Sequence, residues 1–87
     1  MFNKGDIVKL VSVDGSAITK YNVYIDQMFI VRKVAIDLWP NNYTEFIYVE
    51  VNSCFDKDLH KRVSEQPFFA YNFRLVARKT DFGYIHV

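Results

Sequence analysis

The residues with the widest chemical reach in this 87-residue sequence sit in one charged segment. Asp56, Asp58 and His60 alternate there and Glu65 follows, a set of oxygen and nitrogen donors of the kind that holds a divalent cation or moves protons. A run of this sort is more often a solvated loop or helix face, because a metal site also needs hydrogen-bonded support behind each ligand. No metal is expected. Cys54 is the single cysteine, and His60 or His86 could serve it as a base. A lone cysteine beside an aromatic residue is more often core filler. The sequence has no GxGxxG or phosphate-binding loop, no GxSxG elbow and no HExxH pair. It therefore lacks the signatures of phosphate cradling, serine hydrolysis and zincin chemistry. The expectation is a protein with no enzymatic activity, no cofactor and no small-molecule substrate.

Recognition is the remaining chemistry, and the aromatic residues carry it. Eight Phe, six Tyr and one Trp are more rings than a domain of this size buries beside its Val, Ile and Leu. For any single ring, cover by a loop is the better reading. As a set, Tyr21, Tyr24, Trp39, Tyr43, Phe46, Tyr48 and Tyr71, with Arg32 and Arg74 close by in sequence, are candidate partner-binding residues. Tyr, Trp and Arg dominate interaction hot spots because they give large contact area with few rotors. A protein partner, or a second copy of the chain, is the expected ligand. The alternative is a nucleic-acid binder in which Lys9, Arg32, Lys33, Arg74, Arg78 and Lys79 contact phosphates while rings stack on bases. Eleven Lys and Arg against ten Asp and Glu leave a net charge of +1, so this alternative needs the cations gathered in a local stripe.

The elements that must position these residues read as strands. The apolar period is two, with turn residues where hairpins want them. After the Gly5-Asp6 turn, Ile7 to Val13 places Val8 and Leu10 on one face, and Asp14-Gly15-Ser16 ends the run. Residues 17 to 27 fit a long loop. In Met28 to Asp37, Phe29 and Val31 share a face and so do Val34 and Ile36, but the odd step from 31 to 34 demands a bulge near Arg32-Lys33. Leu38-Trp39-Pro40-Asn41-Asn42 is expected to break the strand at a hairpin tip. Tyr43 to Asn52 returns with Ile47, Val49 and Val51 inward and with Phe46 and Tyr48 on the opposite face. Segment 53–66 fits one or two helical turns, with Phe55, Leu59 and Val63 four apart, or a mobile excursion. In Phe68 to Val76, Ala70 and Phe73 stand three apart, the spacing that eclipses side chains on a 3₁₀ turn, and Phe82 to Val87 alternates as a terminal strand.

These bounds describe one soluble domain. Apolar content of 51% excludes intrinsic disorder. Apolar runs are far short of the roughly 20 residues a spanning helix needs. The start MFNKGDIV does not read as a secretory signal, so a cytoplasmic setting is expected. The segments KGDIVKLV, MFIVRKV, FIYVEV and FFAYNFRLV together resemble the small SH3-like β-barrel proteins of bacteriophage and bacterial genomes, including modules related to the KOW type. That resemblance covers most of the chain. It implies a mostly β fold, a small SH3-like barrel of about five or six antiparallel strands with a short 3₁₀ turn. It also implies a phage accessory protein that binds or inhibits a host protein in the host cytoplasm. The near-neutral charge and three glycines depart from nucleic-acid-binding KOW modules.

Overall fold

The computed structural model describes residues 1–13, 25–39, 42–50 and 65–87. Tyr21, Tyr24, Val51, Cys54, Asp56, Asp58 and His60 lie outside the described residues, as does the expected helix or excursion of 53–66 apart from Glu65 and Gln66.

The described chain is mostly β, as the alternation requires. Its strands are β1 (Ile7–Leu10), β2 (Met28–Trp39), β3 (Asn42–Glu50), β4 (Phe68–Phe69), β5 (Phe73–Thr80) and β6 (Gly83–His86), and a 3₁₀ turn over Ala70–Asn72 joins β4 to β5. All pairings are antiparallel, in the order β4-β3-β2-β1-β5-β6. Among the described residues no ladder joins β4 to β6. The sheet is nevertheless strongly curled, because the Phe68 ring of β4 meets the Phe73 ring of β5 with centroids 6.5 Å apart, although three strands separate them in the sheet order.

Val8, Leu10, Phe29, Val31, Ile47, Val49, Phe68, Ala70 and Phe73 form the core inside this curl. The inward alternation expected of Val8 with Leu10 and of Ile47 with Val49 is what the strands adopt. The bulge also falls where the phase of the apolar residues requires it. Val31 pairs with Val49 and Lys33 with Tyr48, so Arg32 is the extra residue. It returns Val34 to the core side, where it packs on the cluster. A second shift opposite Ile7 and Val8 leaves Val76 as the extra residue of β5.

The opening turn is a structural junction. Gly5, at φ 92°, donates its N–H to the Val31 carbonyl at 2.7 Å, and Val31 N–H donates to the Asp6 carbonyl at 2.9 Å. The fully buried Asp6 carboxylate accepts the N–H groups of Asn3 at 2.8 Å and Lys79 at 3.3 Å, and its Oδ2 lies 3.6 Å from Arg78. One carboxylate thus ties the amino-terminal residues to β5. Buried Asn72 does similar work at the 3₁₀ turn. Its carbonyl accepts Val11 N–H at 2.8 Å and its Oδ1 accepts the Ser12 hydroxyl at 2.8 Å.

The hairpin tip departs from expectation. Leu38 and Trp39 continue β2, with Leu38 opposite Tyr43 and Trp39 opposite Asn42. Each residue added to an antiparallel ladder gains backbone bonds, which outweighs the turn-forming tendency of the residues beyond it. The result is a β2–β3 arm that runs past the core.

Candidate interaction surface

The arm's length exposes apolar side chains that a shorter hairpin would have hidden. Ile36, Leu38, Tyr43 and Glu45 have the phase of the core residues Val34 and Ile47, with Ile36 opposite Glu45 and Leu38 opposite Tyr43. No core covers them so far out. Leu38 is 81% exposed and Tyr43 60%, and Ile36 is also exposed. A cross-strand Leu–Tyr pair held on a rigid ladder presents apolar area at little entropic cost.

Beside this arm lies a groove of about 550 Å³ whose walls include Tyr43, Glu45, Phe69, Tyr71, Phe73 and Met1. Tyr71 projects from the 3₁₀ turn with 59% exposure while its neighbours Ala70 and Asn72 face inward. The turn's Ala70 carbonyl accepts the Phe73 N–H, which fixes the direction in which Tyr71 leaves the chain. The opposite wall is held by Phe2 N–H, which donates to Glu45 Oε1 at 3.2 Å. The only charged side chain among the groove's lining residues is that carboxylate.

The outer face of the same strands carries a row of rings. Phe46 pairs with Phe69 across β3 and β4, with centroids 5.1 Å apart, and Phe69 stacks on Tyr71 at 5.1 Å and 21°. Further along that face Tyr48 lies beneath two cations: the Arg32 guanidinium and the Lys33 ammonium are each 5.4 Å from its ring centre. The bulge explains this geometry. Doubling the residues opposite Tyr48 puts Arg32 and Lys33 on one ring, where their charge meets the negative π face.

Of the nine residues the sequence singled out, the fold therefore brings Tyr43 and Tyr71 to one groove, Phe46 into the ring row beside it, and Arg32 onto Tyr48. Arg74 stands apart from Tyr48, exposed on β5 opposite Lys9 of β1. Trp39 holds its place in the arm through its pairing with Asn42, and Tyr21 and Tyr24 lie outside the described residues. Sequence reasoning missed Ile36, Leu38 and Phe69. Alternation alone assigned Ile36 to a face but gave no sign that the core would end before it.

Lys9 lies 3.8 Å from Asp26 and Arg78 pairs with Asp6, while Lys4, Arg32 and Lys79 line a cleft of about 520 Å³ together with Glu50 and Asp81. Among the described residues no three His, Cys, Asp or Glu side chains are grouped to hold a metal, and no helix is long and apolar enough to cross a membrane. Compared with family models, with curated proteins and with solved structures, the chain matches none of them.

Proposed function

We propose that this chain is a non-enzymatic protein-recognition module of the SH3-like kind its sequence resembles. A polypeptide partner docks on the β2–β3 arm and the adjoining aromatic groove. One observation carries the reading: Leu38 and Tyr43 sit side by side on a rigid ladder beyond the core, at 81% and 60% exposure, next to Tyr71. Exposed apolar area concentrated in one place is the usual mark of a contact surface. The groove's chemistry favours protein over nucleic acid, since Glu45 is its one charged side chain and the aromatic and apolar walls offer no lysine or arginine to a phosphate backbone. The host-protein target implied by the resemblance belongs to this same proposal.

A second reading has its own observation. Arg32 and Lys33 over Tyr48 combine cations with a ring, the pairing that single-stranded nucleic acids exploit. Both readings are tested on the purified full chain. Affinity capture from a bacterial lysate should retain a discrete partner, and Leu38→Ser with Tyr71→Ala should lose it. Capture unaffected by those changes, or no capture, overturns the proposal. Titration of mixed oligonucleotides at low salt should show no binding, and salt-sensitive binding lost in Tyr48→Ala would replace the first reading with the second.

A further inference from the structure

The other end of the sheet carries a feature that the recognition surface does not use. β6 has β5 as its only neighbour among the described residues, and all four of its residues are exposed. Phe82 at the turn is fully exposed and Ile85 is 62% exposed. Edge strands of natural proteins are commonly blunted by Lys, Pro or inward-facing charges. β6 is Gly83-Tyr84-Ile85-His86 and has none of these.

The direction of its free backbone groups follows from one bond. Val87 N–H donates to the Val76 carbonyl at 2.9 Å, so these two residues are a hydrogen-bonded pair. Bonded and non-bonded pairs alternate along an antiparallel ladder, and β6 keeps regular register from Ala77–His86 to Thr80–Gly83. Ile85 therefore bonds towards Arg78, and the N–H and C=O groups of Tyr84 and His86 point away from β5. Among the described residues nothing covers this edge, and the strand presents two donors and two acceptors at a two-residue interval.

We infer that β6 is a homodimerisation edge: a second copy of this chain adds its own β6 antiparallel, about a two-fold axis at Ile85. This register satisfies every outward group of the strand. Tyr84 pairs with His86 of the second copy and His86 with Tyr84, each exchanging both backbone bonds, and the two Ile85 residues meet as the non-bonded pair between them. The side-chain rows agree with it. On one face Arg78, Ile85, Ile85 and Arg78 follow one another across the joined sheets, and on the other Lys79, Tyr84, His86 and Ala77. No like charges stand opposite each other, and each Arg is separated from its symmetry mate by two apolar residues. A C2 pairing of this kind needs only self-complementarity, which the charge pattern supplies. The seam is small and belongs to the weak, concentration-dependent class of interfaces. The inference is independent of the recognition surface, which lies on the β2–β3 arm, β4, the 3₁₀ turn and the first residue of β5.

The test is the mass of the purified chain over a concentration series, followed by cysteine cross-linking in a Cys54→Ser background. The mass should rise from monomer to dimer with concentration. Ile85→Cys should form a disulfide-linked dimer with oxidised glutathione, because opposed non-bonded pairs have Cα atoms about 4.5 Å apart. Tyr84→Cys should not, since the two Tyr84 positions are offset by two residues, beyond the roughly 7 Å a disulfide spans. Tyr84→Pro removes an outward N–H and leaves the β5 ladder intact, so it should raise the dimer dissociation constant at least about tenfold with an unchanged circular dichroism spectrum. A monomer throughout the series overturns the inference, and so does dimerisation that Tyr84→Pro leaves intact. Cross-linking of Tyr84→Cys as fast as Ile85→Cys overturns the register.

Discussion

Replacing Asp6 by Ala should destabilise this protein more than its place near the amino terminus suggests. The carboxylate is fully buried and accepts Asn3 N–H at 2.8 Å and Lys79 N–H at 3.3 Å. A short bond to a charged acceptor is worth about 1.5–3 kcal/mol and a longer one about 1 kcal/mol. The Arg78 pair adds less, because its side chain is 40% exposed and solvent screens it to roughly 1 kcal/mol or below. The sum is about 2.5–5 kcal/mol. At roughly 0.05–0.15 kcal/mol per residue a chain of this length has a total stability of about 4–13 kcal/mol, so the loss is about a fifth or more of it. Asp6→Asn keeps the shape and one acceptor but turns an amide N–H towards another donor, and should cost about half as much. Urea unfolding followed by circular dichroism measures both, with unchanged m-values confirming that stability alone has moved. Asp6 also anchors Asn3, and Phe2 beside it holds Glu45 in the groove wall, so amide exchange at Phe2 and Asn3 should quicken in Asp6→Ala. A loss below about 1 kcal/mol would refute the argument that this carboxylate joins the amino terminus to β5.

Core and edge positions should separate cleanly: Ile47→Ala, in the centre of the cluster, should cost about 2–5 kcal/mol in the same assay, whereas Leu38→Ser should change stability by no more than about 0.5 kcal/mol while abolishing partner capture. Gly5→Ala forces a side chain to φ 92° with its Cβ 2.6 Å from Lys79 Cδ, and should cost about 1–2 kcal/mol by thermal unfolding. Deleting Arg32 leaves Lys33 opposite Tyr48 and every later side chain on its present face, yet straightens β2. It should cost about 1–3 kcal/mol, and an unchanged melting temperature would show that the curl does not depend on the bulge.

Much of this fold was legible because alternation is a local property. Val8 with Leu10, and Ile47 with Val49, declare their faces within each strand, and the odd interval between Val31 and Val34 revealed the bulge before any partner strand was known. The arm was not legible for the opposite reason. Whether Ile36 and Leu38 are covered depends on where the rest of the chain ends in space, and no local pattern encodes that. Pro40, Asn41 and Asn42 signal a break in the strand, but ladder bonds carry β2 to Trp39 and begin β3 at Asn42. The free edge was half visible, since Phe82 to Val87 alternates and reads as a strand. Its exposure was not, because sequence does not say whether a terminal strand is covered.

The two surfaces bear on each other through the order of the sheet. β6 is one edge strand, and the arm is built from β2 and β3, with β5 and β1 between. A dimer joined at β6 therefore leaves both arms uncovered and carries them on opposite sides of the seam. Two such arms on one rigid assembly turn a weak single contact into a bivalent one, if the target also offers two sites within their reach. Tyr84→Pro then has a consequence beyond its mass: it should lower capture of a multimeric target while leaving the affinity for an isolated target chain unchanged. Equal losses for both would mean that β6 contacts the target directly, and no loss for either would mean that the arms act singly.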